Sequence, residues 1–316
     1  MISLIQLEYI IAVDTYRHFV TASEKCFVTQ PTLSMQIKKL EEDLGITIFD
    51  RTKQPIIPTA IGSKVIEQAR TVIAESNSIN EIIAEYNDSI SGELTIGIIP
   101  SLAPYLLPLF IGNFNKKYPD VKVKVLELLT EEIITQLKKD TIDVGILVTP
   151  LTEKGIIEQP LFYEEMLLYI NKDHPFSTKE NIKPYDLASP DLWLLNNGHC
   201  FRSQVVNLCH YKPKISNESH FEYASGSLET IKKMVEIEGG FTMLPELATM
   251  DDMTTAVIKK FNSTTPLREV SFAITRNYFK KKLLKLLSIE IKNAVPEFML
   301  NKERGSIAEW RESNVG

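Results

Sequence analysis

At 316 residues the chain has room for two or three domains, each with its own apolar core. A hydrophobic content of 44% and a charged content of 24% are those of an ordinary globular protein and exclude a disordered or fibrous one. The net charge of −6 gives no general affinity for nucleic acid, so any such function must rest on local features.

Three cysteines in this length cannot form a disulfide scaffold, which points to a reducing compartment. The start, MISLIQLEYIIAV, lacks the basic stretch and small-residue cleavage site of a secretory signal. No apolar run approaches the ~20 residues needed to span a bilayer. We therefore expect a cytoplasmic protein with no membrane partner.

In chain order, Leu4, Leu7 and Ile11 fall at helical spacing, and a short helix is expected from Phe19 to Phe27. Cys26, four residues after Ala22 on that helix, reads as a core residue. In VTQPTLSMQIKKLEEDLG, Leu33, Ile37, Leu40 and Leu44 form an apolar stripe. Thr29 is placed to cap this helix, Pro31 to sit in its tolerant first turn and Gly45 to end it. The opposite face carries Pro31, Thr32, Ser34, Met35, Lys38 and Lys39, with Gln30 at its start. A short helix, a tight turn and a second helix with such a face can enter a DNA major groove. ITIFDRTKQPIIPT then reads as two short strands whose connection offers Arg51 and Lys53 to phosphates. A plain helical bundle with a solvated face is the alternative, since residues 1–65 carry seven Lys+Arg against seven Asp+Glu.

Residues 60 to 87 predict one long helix, ~28 residues and about 42 Å. Val65, Ala69, Val72, Ser76, Ile79, Ile83 and Tyr86 make a heptad seam along it. The seam packs either on its own chain or on a second copy, and a dimer would pair two reading helices over a two-fold operator.

SGEL at 91–94 is expected to break the helix as a hinge. From there, apolar strands alternate with helical patterns, the signature of an α/β fold with a mainly parallel sheet. The first set comprises LTIGIIP, a helix near 104–117, VKVKVLEL, a helix at 131–140 and DVGILV. The second comprises MLLYI, DLWLLN, HFEYAS and GGFTMLP, while REVSFAIT and a helix at 280–294 return to the first. Two lobes joined by crossing strands leave a cleft suited to a small ligand. The tail NKERGSIAEWRESNVG is polar and expected to be loosely held.

Two of the three cysteines, Cys200 and Cys209, lie in GHCFRSQVVNLC. Buried small hydrophobes are the commonest role for such residues. Alternatively, Cys200 begins a helix whose N-terminus, with Arg202, favours a thiolate, and the hydroxyls of Ser101 and Thr130 serve an incoming oxidant. If 200–209 is helical, about 13 Å separates the two cysteines, whereas a disulfide tolerates about 7 Å. His18, His174, His210 and His220 show no metal-ligand spacing, and the Gly pair in EIEGGFTMLP is turn chemistry. No metal or other cofactor is expected.

LEYIIAV…RHFVTASEKCFVTQPTLSMQIKKLEEDLGITIFDRT resembles the winged helix-turn-helix of LysR-type transcriptional regulators. The likeness runs through the long helix and both α/β lobes. IGIIPSLAPYLLP, LFYEEMLL, GHCFRSQVVNLC and GGFTMLP are similar to the peroxide-sensing OxyR subfamily. The resemblance implies a winged helix-turn-helix over 1–60, a linker and dimerisation helix over 61–90, and two Rossmann-like α/β subdomains over 91–302. The lobes would span about 91–163 with 266–302, and about 164–265, followed by a tail at 303–316. It implies Cys200 as the thiol that peroxide oxidises, Cys209 as its resolving partner, and a peroxide pocket of His199, Arg202, Ser101, Thr130 and Arg276. Ser101 stands where threonine is expected, and Ser203 where aspartate is usual. The implied partners are an operator in double-stranded DNA, further copies of the chain up to a tetramer, hydrogen peroxide, a cellular dithiol reductant and RNA polymerase. Other readings are a regulator of this architecture with an organic effector, a thiol peroxidase that turns over, and a solute-binding protein; the last two leave the first ninety residues unexplained.

Overall fold

The computed structural model describes residues 2–86, 90–209, 226–250, 255–261 and 265–308. The chain divides into two compact units, residues 1–90 with 276–281, and residues 91–275 with 282–316.

The first unit is built on α1 (Leu4–Tyr16), α2 (Phe19–Lys25) and α3 (Gln30–Leu44). Ser3 and Gln6 cap the start of α1 reciprocally, so two backbone donors that a helix leaves open find acceptors. Thr29 accepts from the Thr32 N–H at 3.4 Å, and Gly45, at φ +66°, ends α3 in the left-handed conformation that glycine adopts without steric cost. Leu33, Ile37 and Leu40 are fully buried and share one core with Leu7, Ile10 and Val13 of α1. The short antiparallel pair β1 (Phe49–Asp50) and β2 (Ile57–Pro58) follows as a wing. The long α4 (Ala60–Tyr86) starts so close to the wing that a Cβ at Gly62 would run into the Ile48 carbonyl.

The heptad seam on α4 divides in two. Val65, Ala69 and the off-seam Ile66 and Ile73 pack into the core of α1–α3. Val72, Ile79 and Ile83, with the neighbouring Ile82, are exposed. Among the described residues, only the first part of the stripe is covered by its own chain.

In the second unit, β3 (Gly92–Ile98) pairs in parallel with β4 (Val121–Glu127) and β5 (Val144–Thr149), with α5 (Ala103–Lys117) and α6 (Thr130–Lys138) as crossovers. The 15-residue β6 (Ile156–Ile170) is the crossing strand. After it come α7 (Cys200–Cys209), α8 (Leu228–Glu238), β7 (Phe241–Pro245), β8 (Val257–Lys259), β9 (Pro266–Thr275), α9 (Lys281–Ala294) and β10 (Ser306–Ile307). The first half of β6 pairs antiparallel with β9, which pairs antiparallel with β5. Its last residues pair antiparallel with β7 and β8, beneath a core that includes Phe201, Val205 and Cys209 of α7 and Ile231 and Val235 of α8. The first lobe therefore has a mixed sheet, and the second a small antiparallel one. Among the described residues, no helix is long and apolar enough to cross a membrane.

Several expectations need correction. SGEL is not simply a break, because Gly92 is already paired with Val121. DLWLLN forms no strand; Leu192 alone bridges Phe241, while Leu192 and Leu195 serve as core residues. The start of the tail is held: β10 pairs in parallel with β9, and Arg304 bonds the buried carboxylates of Glu165 and Glu246 at 2.8 and 2.7 Å. HFEYAS, His210 and His220 lie outside the described residues. His18 caps α2 by accepting from Thr21, and His174 accepts from the Phe176 N–H. Cys26 ends α2 only half-buried at the edge of the core, so its core assignment holds in part.

Candidate functional site

Cys200 is the first residue of α7 and 4% exposed, and Cys209 is the last and 1% exposed. Both are free thiols. Gly198, at φ +95°, turns the chain into the helix, a conformation that a residue with a side chain rarely adopts. The N–H groups of Cys200 and Phe201 consequently point at the Cys200 sulfur. That is the expected charge preference of a helix N-terminus.

The rest of the pocket comes from the first lobe. Thr130, at the start of α6, turns its hydroxyl toward the sulfur; the geometry falls short of a full hydrogen bond, and the hydroxyl makes none elsewhere. Ser101, between β3 and α5, is buried, and its hydroxyl accepts from Nη2 of Arg268 at 3.2 Å. Arg268, on β9, is completely buried, with its guanidinium 5.0 Å from the centre of the Phe201 ring. It is the cation whose charge favours a thiolate at Cys200. Its Nε and Nη1 make no hydrogen bond.

These groups do not prevail in this conformation. Burial pushes the Cys200 thiol up, against the opposing pull of Arg268, Thr130 and the two backbone N–H groups. The expectation of a depressed pKa is therefore not met, because full desolvation of a thiolate outweighs one buried cation that has its own counter-ion. Cys209, buried among apolar side chains, is pushed up to about 12.

The structure brings Thr130 to Cys200 and links Ser101 to the site through Arg268, while His199, next to Cys200 in the chain, is buried and has its pKa lowered by desolvation. It does not bring the two other expected residues to the sulfur. Arg202 donates to the Leu195 carbonyl at 2.7 Å, a link that ties α7 to the preceding loop. Arg276 is exposed just past the end of β9. The residues of β9 beyond Arg268 alone span about 20 Å. Arg268 fills the place expected of an arginine. Its signal lay in LREVSFAIT, where strand alternation puts an arginine on the same face as the apolar Val270 and Phe272.

On the first unit, Gln30, Pro31, Met35, Lys38 and Lys39 are exposed along α3, with Thr32 and Ser34 half-buried among them. Lys38 reaches Glu42 at 3.6 Å with both side chains largely in solvent. Lys53 is exposed on the wing. Arg51 is engaged: it pairs with Glu41 at 2.9 Å and lies over the Phe19 ring, while Glu41 also accepts from the N–H groups of Ile48 and Phe49. Arg51 thus anchors the wing to α3.

A helix-turn-helix unit joined by a long helix to an α/β unit is the architecture of a DNA-binding regulator with a separate second part. Comparison with known families gives the same class. Residues 4–63 match the bacterial regulatory helix-turn-helix of the LysR family, and residues 87–291 match the LysR substrate binding domain. The chain belongs to the LysR family of bacterial regulators. It is 38% identical over 242 residues to the DNA-binding transcriptional dual regulator OxyR of Escherichia coli K12, covering 77% of this chain and 78% of that one. It is 30% identical over 274 residues to the HTH-type transcriptional regulator EstR of Acinetobacter baylyi, covering 87% and 88%. Its fold is similar to a full-length OxyR variant from Pseudomonas aeruginosa, with a TM-score of 0.74 and 29% identity over 93% of this chain and 99% of that one. A peroxide-bound OxyR mutant from Corynebacterium glutamicum is similar at a TM-score of 0.60 and 28% identity, covering 92% of each chain.

Proposed function

We propose that the protein is a DNA-binding transcriptional regulator that senses hydrogen peroxide through Cys200 and Cys209. The observation that carries this reading is the position of the two cysteines at opposite ends of α7, with the first facing Arg268 and Thr130, and Ser101 bonded to Arg268. The Cys200 thiolate attacks one peroxide oxygen, the O–O bond breaks, and hydroxide leaves as Cys200 becomes a sulfenic acid. Donors around the sulfur support the departing oxygen. Cys209 then attacks the Cys200 sulfur and expels the second oxygen as water, leaving a disulfide. A cellular dithiol reverses the reaction by exchange.

Helical geometry makes this a structural switch. Nine rises of ~1.5 Å separate the ends of α7 by about 13 Å, whereas a disulfide needs its Cα atoms within about 7 Å. The bond requires α7 to unwind, and Phe201, Val205 and Cys209 must then leave the second lobe's core. We assign residues 1–60 to DNA reading, 61–90 to linking and dimerisation, and 91–302 to sensing. Gln30, Pro31, Thr32, Ser34, Met35, Lys38, Lys39 and Lys53 form the DNA-facing set, with Arg51 as the support of the wing. The exposed part of α4 joins two copies in a dimer, or in a tetramer with further contacts. RNA polymerase is the partner through which a changed grip on the operator alters transcription, and the cytoplasm supplies both the DNA and the reductant.

Free-thiol titration with mass measurement tests the proposal. Low-micromolar peroxide is expected to remove two thiols and to yield a Cys200–Cys209 crosslink. Cys209→Ser is expected to stall at sulfenic acid, and Cys200→Ser to leave Cys209 unreacted. If peroxide removes no thiols while an organic metabolite shifts DNA binding, redox sensing is wrong.

A further inference from the structure

The cation beside Cys200 has a counter-ion that the proposed mechanism does not use. Glu164 lies on β6 with its side chain completely buried. Its Oε2 accepts from the Leu247 N–H at 3.3 Å, and its Oε1 stands 3.5 Å from Nε of Arg268 without forming a hydrogen bond. The pair is poorly bonded for one so deep. A buried ion pair repays its desolvation only with good geometry and with its remaining donors and acceptors satisfied, so stability alone is a weak account of this one. Its position is more informative, because the guanidinium bridges Glu164, the Ser101 hydroxyl and the Phe201 ring next to the sulfur.

We propose that Glu164 is a positioning residue that acts on Cys200 through Arg268: paired with the guanidinium beside Phe201 and Ser101, it offsets with its negative charge the share of the guanidinium's charge that reaches the sulfur. This rests on the reading of Cys200 as the sensing thiol. With Glu164 ionised, its charge offsets part of the pull that Arg268 exerts on Cys200, and burial then keeps the resting cysteine a thiol. The pair thus sets the peroxide threshold.

Opposing influences meet at Glu164, and their balance raises its carboxyl pKa. Arg268 faces it from β9 and pulls its carboxyl pKa down, whereas burial and the nearby Glu246 push it up, burial most strongly. Glu246 is itself held by Arg304, which also binds Glu165. From α5, the Tyr105 phenol feels both Glu164 and Arg268 and donates to Glu229, the partner of Lys232 on α8. Each of the other carboxylates has a cation or hydroxyl of its own. Among the described residues, Glu164 has Arg268 as its one ion-pair partner.

The test uses the full chain with Cys26→Ser and Cys209→Ser, so that Cys200 is the single thiol. Thiolate absorbance is followed against pH, as a difference from the same chain carrying Cys200→Ser to remove the tyrosines. Glu164→Gln is expected to lower the thiolate midpoint by about one unit, roughly tenfold more thiolate at a given pH, as expected when a nearby cation loses its screen. In an Arg268→Gln background the buried carboxyl loses the cation that favours its ionised form and is protonated, so the same substitution is expected to leave the midpoint unmoved. An unchanged or raised midpoint with Arg268 present, or an equal shift without it, overturns the proposal. If Glu164→Gln does not fold because Arg268 is left unpaired, Glu164→Asp replaces it, with a smaller downward shift expected and no shift contradicting the idea. Absorbance needs no peroxide. A shifted midpoint in a chain that peroxide fails to oxidise would therefore sink the sensing function and leave the role of Glu164 standing.

Discussion

Cys200 and Cys209 are the first and last residues of one ten-residue helix, and the sulfur of each is buried at its own end. Cys200 faces Thr130 and Arg268 of the other lobe, and Cys209 the apolar core of its own lobe.

That asymmetry has a pH consequence. Burial holds Cys200 above the ordinary thiol value and Cys209 at about 12, so both are protonated near neutrality. The thiolate is the nucleophile, so the rate of Cys200 oxidation should climb close to tenfold per pH unit through the neutral range. Stopped-flow oxidation of the Cys209→Ser chain checks this, and a plateau reached below about pH 7 would show a thiolate already formed. Because Arg268 is the largest influence favouring the thiolate, Arg268→Gln should slow the reaction at least tenfold at neutral pH.

On the reading helix, Lys38 is exposed and tied to Glu42 only by a solvent-screened pair. Lys38→Ala should weaken operator binding across sequences and lower the slope of log affinity against log salt by about 0.9, the share of one released counterion. Fluorescence anisotropy titrations at several salt concentrations give the slope. If it is unchanged, Lys38 does not meet phosphate.

The uncovered part of α4 bears on assembly. Ile79 and Ile83 are more than half exposed, at 57% and 53%, on a helix whose earlier stripe is buried. Ile79→Lys with Ile83→Lys should leave the fold intact, because neither residue belongs to the helical core, and should raise the dimer dissociation constant at least a hundredfold by placing like charges in a two-fold seam. Sedimentation equilibrium reads the outcome, and an unaltered oligomer would assign this stripe to something other than dimerisation.

At the other end of the chain, Arg304 neutralises two buried carboxylates, Glu165 and Glu246. Removing one member of a buried ion-paired set leaves uncompensated charge, which costs about 3 kcal/mol. Arg304→Ala should lower stability by about that amount in urea unfolding, with Lys260 still paired to Glu165 limiting the loss. A change below about 0.5 kcal/mol would mean that this segment contributes only surface contacts.

How much of this was legible in the sequence depends on how local the cause is. The first unit was readable because apolar spacing and the caps at Thr29 and Gly45 act within a few residues. The cysteine pair was readable as two ends of a helix for the same reason. Arg268 was missed because the contact that matters joins β9 to α7, and no local pattern reports which arginine a distant helix will meet. Arg202 looked better placed by proximity, yet its helix turns it toward Leu195. DLWLLN has the apolar content of a strand, but its side chains are spent on the core under α7 while its backbone makes one bridge. The tail looked free because its anchors, Glu165, Glu246 and β9, lie far back in the chain. The depressed thiol pKa was inferred from charges alone, and burial, which the sequence does not state, reverses its sign.

The claim underlying these predictions is that joining the two cysteines dismantles α7. Hydrogen exchange across residues 200–209, compared between the reduced chain and the chain carrying the Cys200–Cys209 disulfide, tests it most directly. Slow exchange in the reduced chain and rapid exchange throughout the segment once the bond has formed is the predicted result. A disulfide-linked chain that keeps the full amide protection of the helix would contradict it.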